Sequence, residues 1–255
     1  MRSLYTAATG MAANQVKVEN IANNISNANT TAFKKVRESF EDLVYQQLGS
    51  KGANGDAMQI GGGTRLSALS RDFRTGNTVV TSNPNDFMVD GPGFFMVETP
   101  QGDTLYTRDG HFRTDADGNL TTQQGYRVQP GIQVPDNGRL VISADGQISA
   151  EVPTAEGMEV VQLGQLEIAT FQNPEALEAA GGNFYRQTTA AGDVLRTTPR
   201  QDGTGGILQY ALEGSNVDVA EELVNMITAQ RGYELSSKVI QASDEMLQTA
   251  VNLRR

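Results

Sequence analysis

Apolar residues return every seventh position at both ends of the chain, and in the middle that rhythm gives way to short apolar runs broken by turns. Near the start, Leu4, Met11, Val18 and Ile25 fall seven apart, with Ala7, Asn14, Ile21 and Ala28 in a row beside them. The spacing predicts a helix with a heptad seam. The seam is weak: Asn14 sits in its second row, and Gly10 costs about 1 kcal/mol in a helix interior. Alone in water such a helix is marginal and depends on packing against something else.

The far end is stronger. Val219, Met226, Tyr233, Ile240 and Leu247 also repeat every seven residues, and the companion row Glu222, Ala229, Ser236, Ser243 and Ala250 is mostly small. Small residues permit close approach of another helix. Asp218 followed by Glu221 reads as a capping box that opens the helix. A period of seven sustained over about four heptads favours coiled-coil-like packing over the 3.6-residue period of a buried globular helix. Periodicity alone also allows the plainer arrangement, in which the two helices pair as a parallel or antiparallel hairpin.

Between the ends, Phe94-Phe95-Met96-Val97 and Leu105-Tyr106-Thr107 read as strands. Turn signals surround them: Asp90-Gly91-Pro92-Gly93, Gln101-Gly102-Asp103, Asp109-Gly110, Asp117-Gly118-Asn119, Asp136-Asn137-Gly138 and Asp145-Gly146. Turns of this kind between β-rich runs mark hairpins, so residues 86–171 are expected to form an antiparallel β domain. Gly-rich stretches at residues 49–55, 61–63 and 203–206 read as loops at its borders. Phe33 to Leu48 fits either a helix face or an extended run.

Composition narrows the function. Cysteine is absent and His111 is the only histidine, which rules out disulfides, thiolate sites and a two-histidine metal site. Residues 1–50 carry five bases and four acids and residues 216–255 four bases and six acids, so residues 51–215 hold −9 of the net charge of −10. An acidic chain is a poor partner for nucleic acid. Nearly neutral ends suit close packing of identical copies, and an acidic middle suits a solvated surface. The start has no apolar signal segment, and no run approaches the ~20 apolar residues of a membrane span, so neither cleavable signal nor membrane insertion is expected.

Catalytic constellations are scarce. Asp115-Ala116-Asp117-Gly118-Asn119 begins like a calcium loop, but Leu120 and Tyr126 occupy the positions that need Gly and Glu, so a hairpin turn explains it better. Gly61-Gly62-Gly63-Thr64 lacks the Lys of a phosphate loop. Asp86 and Asp90 sit among turn residues, where acids are common, and no Gly-x-Ser-x-Gly elbow occurs. No enzyme, cofactor or metal is expected. A hydrolase and a soluble β-domain binding module are the rival classes, and neither finds a supporting motif.

Ile21-Ala22-Asn23-Asn24-Ile25-Ser26-Asn27-Ala28-Asn29-Thr30-Thr31-Ala32-Phe33-Lys34 resembles the N-terminal signature of the flagellar rod and hook proteins. Ser215 to Ile227, continuing through Ala229-Gln230-Arg231-Gly232-Tyr233-Glu234, resembles the C-terminal signature of the same axial family. Asp90 to Phe95 and Tyr106 to Phe112 are similar to its β domain. The position after the Asn-rich run, often Gly in the family, is Ala32 here. The resemblance implies an α+β chain whose N- and C-terminal helices pair in a coiled-coil-like core domain, with a mainly antiparallel β middle domain. On that plan residues 1–31 and 216–255 form the assembly core, 32–75 and 200–215 a connecting region with extended or β-hairpin segments, and 76–199 the outer β domain. Phe33 to Leu48 is then largely extended.

The resemblance also implies a function. Family members leave the cell body through the flagellar export apparatus and polymerise helically into a shaft that crosses the periplasm and transmits torque. The chain's length and its Glu221-to-Ile227 segment point to the distal part of the rod, with the proximal rod as the alternative. Expected partners are further copies of the chain, proximal rod proteins, the hook protein and the surrounding bushing rings. The expected assembly interface is Leu4, Met11, Val18, Ile21 and Ile25 with Val219, Leu223, Met226, Tyr233, Ile240 and Leu247.

Overall fold

The computed structural model describes residues 2–43, 46–48, 58–135, 138–154, 157–201 and 203–252. The chain is α+β and divides into two compact units. The first unit is Met1–Ala28, Val36–Arg71 and Val217–Arg255; the second is Asn29–Lys35 and Asp72–Asn216. The stretches 32–35, 72–75 and 200–215 therefore fall within the second unit.

The first unit holds α1 (Arg2–Ser26), four strands and α2 (Val219–Asn252). Asp218 opens α2 as foreseen: its Oδ1 accepts from the Ala220 N–H at 2.9 Å and the Glu221 N–H at 3.2 Å. That satisfies two of the amide donors left over at a helix start. Strands β1 (Val36–Asp42) and β4 (Thr64–Arg71) pair antiparallel from Val36↔Arg71 to Asp42↔Thr64. β2 (Gln46–Leu48) and β3 (Met58–Ile60) form a second antiparallel pair, so within Phe33 to Leu48 residues 36–42 and 46–48 are strand and no helix is described. The loop expected at 49–55 lies outside the described residues. Gly63 lies between the two ladders, where its carbonyl accepts from the Leu43 N–H at 2.8 Å.

The second unit is built from short strands. In chain order they are β5 (Thr78–Val80), β6 (Phe87–Asp90), β7 (Phe94–Glu98), β8 (Thr104–Thr107), β9 (Phe112–Thr114), β10 (Leu120–Thr122), β11 (Arg127–Val128) and β12 (Arg139–Ile142). Next come β13 (Gln147–Thr154), β14 (Gly157–Gln165), β15 (Ile168–Thr170), β16 (Glu178–Gly181), β17 (Phe184–Arg186), β18 (Leu195–Thr197), β19 (Gly206–Gln209) and β20 (Ala211–Glu213). The main sheet runs β16-β17-β8-β7-β11-β10-β9, and β15 joins both β7 and β18. β12, β13 and β14 form a separate antiparallel meander, and β6 pairs with β19 and β5 with β20.

β7 shows how this unit builds its core. Successive side chains of a strand point to opposite faces. Phe95 and Val97 enter one apolar cluster with Phe87, Phe112, Leu120, Leu140 and Ile168, while Phe94 and Met96 enter another with Tyr106, Leu177 and Tyr185. A strand buried on both faces reads as an unbroken apolar run, which is what Phe94-Phe95-Met96-Val97 is.

The turn signals hold in part. Gln101-Gly102-Asp103, Asp117-Gly118-Asn119 and Asp145-Gly146 each close a hairpin, between β7 and β8, β9 and β10, and β12 and β13. Asp90-Gly91-Pro92-Gly93 and Asp109-Gly110 do not; they join strands that pair elsewhere, so the chain turns there from one sheet position to another. Residues 136 and 137 of the remaining signal lie outside the described residues.

Candidate functional site

In the first unit the site is the helix pair. Four contacts step along α1 and α2 in opposite directions, so the helices pack antiparallel. Asn24 Nδ2 donates to Glu222 Oε2 at 3.2 Å, and Ser243 Oγ lies 3.4 Å from Ser3 Oγ at the other end. Between them, a Cβ placed on Gly232 would meet Asn14 Oδ1 at 2.8 Å, and one on Gly10 would meet Ser236 Oγ at 3.4 Å. A side chain at Gly10 would make an ordinary contact, whereas Gly232 sits where the helices leave no room for one.

The buried residues of the two helices are small or polar, Ile21 excepted. Ala7, Ile21 and Asn24 of α1 and Glu222, Ala229 and Ser243 of α2 are buried. Of the expected interface, Ile21 is buried; Leu4, Met11, Val18, Ile25, Met226 and Ile240 are half-buried; Val219, Leu223, Tyr233 and Leu247 are exposed. The companion row of small residues fills the seam, and the large apolar row lies along its flank. Val224, Ile227, Leu235, Val239, Met246 and Val251 are also exposed, on other sides of α2 as well as beside that row.

Asn24 does a second task that periodicity did not indicate. Its amide donates to the Val36 carbonyl at 3.0 Å and accepts from the Val36 N–H at 3.0 Å, pairing with β1 as a neighbouring strand would. Asn20 Nδ2 donates to the same carbonyl at 2.9 Å. Asn24 of the N-terminal signature and Asn20 just before it thereby fasten the start of the hairpin to α1.

The second unit contains a buried charge cluster. Lys34 Nζ lies 2.6 Å from Glu213 Oε1, and both side chains are 0% exposed. Arg108 Nη1 donates to Glu213 Oε2 at 3.3 Å, and its Nη2 donates to the Gly91 carbonyl at 2.7 Å. Lys34 also donates to the Arg74 carbonyl at 2.7 Å, and the Gly76 N–H donates to Glu213 Oε1 at 2.9 Å. Two cations share one carboxylate. Burial pulls both the Lys34 ammonium and the Arg108 guanidinium below their ordinary ranges, and Glu213 opposes that fall in each.

The backbone around the cluster is tied just as closely. The Ala32 N–H donates to the Glu213 carbonyl at 2.7 Å, and Asn216 joins Lys35 to Asp72 through its side-chain amide. Segments 29–35, 72–76 and 211–216 are thereby clasped together. Gly76 has no room for a side chain, because a Cβ would stand 2.0 Å from the Gly214 carbonyl oxygen.

The other candidates are ordinary. His111 Nε2 stands 3.9 Å from Asp86 Oδ1 and is half exposed. Asp115 to Asn119 forms the β9–β10 turn. Among the described residues no group of three or more acids or histidines could hold a metal, and no helix is long and apolar enough to cross a membrane.

Three segments of the chain match flagellar families. Residues 4–34 match the family described as "Flagella basal body rod protein", residues 88–150 "Flagellar hook protein FlgE/F/G D1 domain", and residues 208–253 "Flagellar basal body rod FlgEFG protein C-terminal". The flagellar basal-body rod protein FlgG of Borreliella burgdorferi is 43% identical over 265 aligned positions, covering 100% of this chain and 99% of the relative. The chain belongs to the FlgG family of flagellar basal-body rod proteins. FlgG of Caulobacter vibrioides is 40% identical with both chains covered in full, and FlgG of Bacillus subtilis 38% identical, also in full. In this FlgG-family chain each matched segment supplies one member of the charge cluster: Lys34 from the first, Arg108 from the second and Glu213 from the third.

Proposed function

We propose that the chain is a structural subunit of the distal flagellar rod, polymerising helically into a stiff shaft that carries motor torque to the hook. Copies of the chain are its main partner, with proximal rod proteins below, the hook protein above, bushing rings around it and the export apparatus delivering it. The shaft spans the periplasm. No catalytic role belongs to this reading.

The observation that supports it, beyond full-length similarity to FlgG relatives, is the apolar flank of α2. Val219, Leu223, Tyr233 and Leu247 stand exposed on a helix whose partner within the chain covers only the neighbouring row, and large apolar side chains left in water together mark a site of association. Within one chain the small-residue seam brings the helix axes close and leaves the large side chains outside. In the assembly those side chains pack against helices of neighbouring copies in coiled-coil fashion, and open contacts between identical subunits give a filament.

The test is Ile240→Asp, with Met226→Asp as a second variant. Electron microscopy of concentrated protein is expected to show filaments for the parent and none for either variant, while circular dichroism shows the β signal and its melting unchanged. Normal filaments from both variants would remove the helix flank from the interface.

A further inference from the structure

A pocket of about 330 Å³ opens in the second unit beside the charge cluster. Phe73, Phe94 and Phe171 form its walls, with Pro92 at the rim and Arg74 and Arg108 among its lining residues. Phe94 stacks edge-on against Phe73 at 5.3 Å and against Phe171 at 5.8 Å, so the walls are rigid. Arg108 is buried over the Phe94 ring, and its Nε has no hydrogen-bond partner. The charges around the pocket do not cancel. Lys34 and Arg108, both buried, share the single carboxylate of Glu213, in a part of the chain that is otherwise strongly acidic.

The β13–β14 hairpin has the opposite character. Among the described residues β14 pairs with β13 alone, so one edge of a nine-residue strand is open. Exposed edge strands are usually blunted by Lys or Pro, and β14 contains neither. Met158 and Val160 are 69% and 64% exposed on one face, and Glu151 stands opposite Val160 on that same face. Glu151 is half-buried, and Glu159 is exposed on the opposite face of the strand.

We infer that this hairpin of one copy seats in the Phe73–Phe94–Phe171 pocket of the next copy. The thioether of Met158 suits an aromatic-walled site, and Glu151, on the same face as Met158, meets the surplus positive charge. The two surfaces do not satisfy each other within one chain, since Met158 is largely exposed and the pocket is open. A hairpin on one copy and a pocket on another form a head-to-tail contact, which propagates and does not close. The inference rests on the rod-subunit reading and adds to the helical interface a second contact layer between the β units.

The chain has no cysteine, so the contact can be tested by cross-linking without background. Chains carrying Met158→Cys are mixed with chains carrying Thr75→Cys at the pocket rim, assembled, treated with a short bis-maleimide and run on a denaturing gel. A dimer band is expected in the mixture and absent from either variant alone. Dimers from Met158→Cys alone would mean that hairpins pair with each other, and would overturn the pocket contact. Filaments with no cross-link in the mixture would overturn it and leave the rod reading standing. Neither filaments nor cross-links would overturn both.

Discussion

The two units solve the burial problem in opposite ways. The second unit finishes within one chain: β7 is covered on both faces, and a Lys, an Arg and a Glu are buried with hydrogen-bonded partners. The first unit stops half-way. Its helices meet through Ala7, Asn24, Glu222, Ala229 and Ser243, while the large apolar residues of α2 remain outside. A seam of small and polar groups buries little apolar area, and burial is the main source of stability for a helix pair. The difference teaches that a polymerising chain can divide its labour, with one unit stable before assembly and the other completed by it.

The most damaging change to the finished unit is expected at Glu213. Glu213→Gln leaves Lys34 and Arg108 buried without their carboxylate, and breaking a buried ion pair on one side costs about 3–5 kcal/mol. Lys34→Met is expected to do far less, because it removes a desolvated cation and leaves Glu213 paired with Arg108. The check is urea unfolding of both variants, monitored by circular dichroism. Equal losses would mean that the cluster does not carry a surplus of positive charge. The pH trend comes from Lys34. Its folded pKa lies below its unfolded one, so its contribution to stability is present above the unfolded value and lost as pH falls through the folded value. The parent should therefore gain stability relative to Lys34→Met as pH rises through the ordinary lysine range.

In the half-finished unit the sharpest probe is Gly232. Alanine there is worth about 1 kcal/mol in helix propensity. Its Cβ would press on the Asn14 amide, which is held by a 2.9 Å bond to the Gly10 carbonyl. Gly232→Ala is expected to lower the helix melting temperature, and Gly232→Ala with Asn14→Ala to raise it above that of the single variant. A double-mutant cycle by circular dichroism measures the coupling. Zero coupling would mean that the seam does not pass through these two residues.

The sequence announced both helices, the Asp218 cap, three of the hairpins and the strand at Phe94–Val97, because each is a local pattern of period, turn residue or apolar run. It also showed two parallel rows on each helix. Period alone could not say which row faces the partner, since that depends on how closely the axes approach, as they do at Gly232. The charge cluster left no local mark. Lys34 and Glu213 stand 179 residues apart, and a buried Lys looks like a surface Lys until the chain folds. Ala32 was the exception: the Gly common in the family at that position was a signal, and its φ of 56° is the left-handed backbone that Gly adopts without strain. Asp109-Gly110 looked like a hairpin turn, but the path of the chain beyond β8 is set by sheet order and not by the turn residues.

The smallest expected effect tests whether the finished unit is fully relaxed. Burial raises the Asp109 carboxyl above the ordinary aspartate range, and nearby Asp86 adds to this; the His111 N–H and imidazole act in the other direction. A carboxyl with a raised folded pKa contributes stability that is full below its unfolded value and is lost as pH rises through the folded one. At neutral pH, Asp109 therefore holds a charge that folding disfavours. Asp109→Asn keeps the oxygen that accepts from the His111 N–H at 3.1 Å and removes the charge. The variant should melt above the parent at neutral pH, and the gap should close as the buffer is acidified through the carboxylate range. A gap that does not change with pH would mean that packing, and not ionisation, sets the difference at this turn.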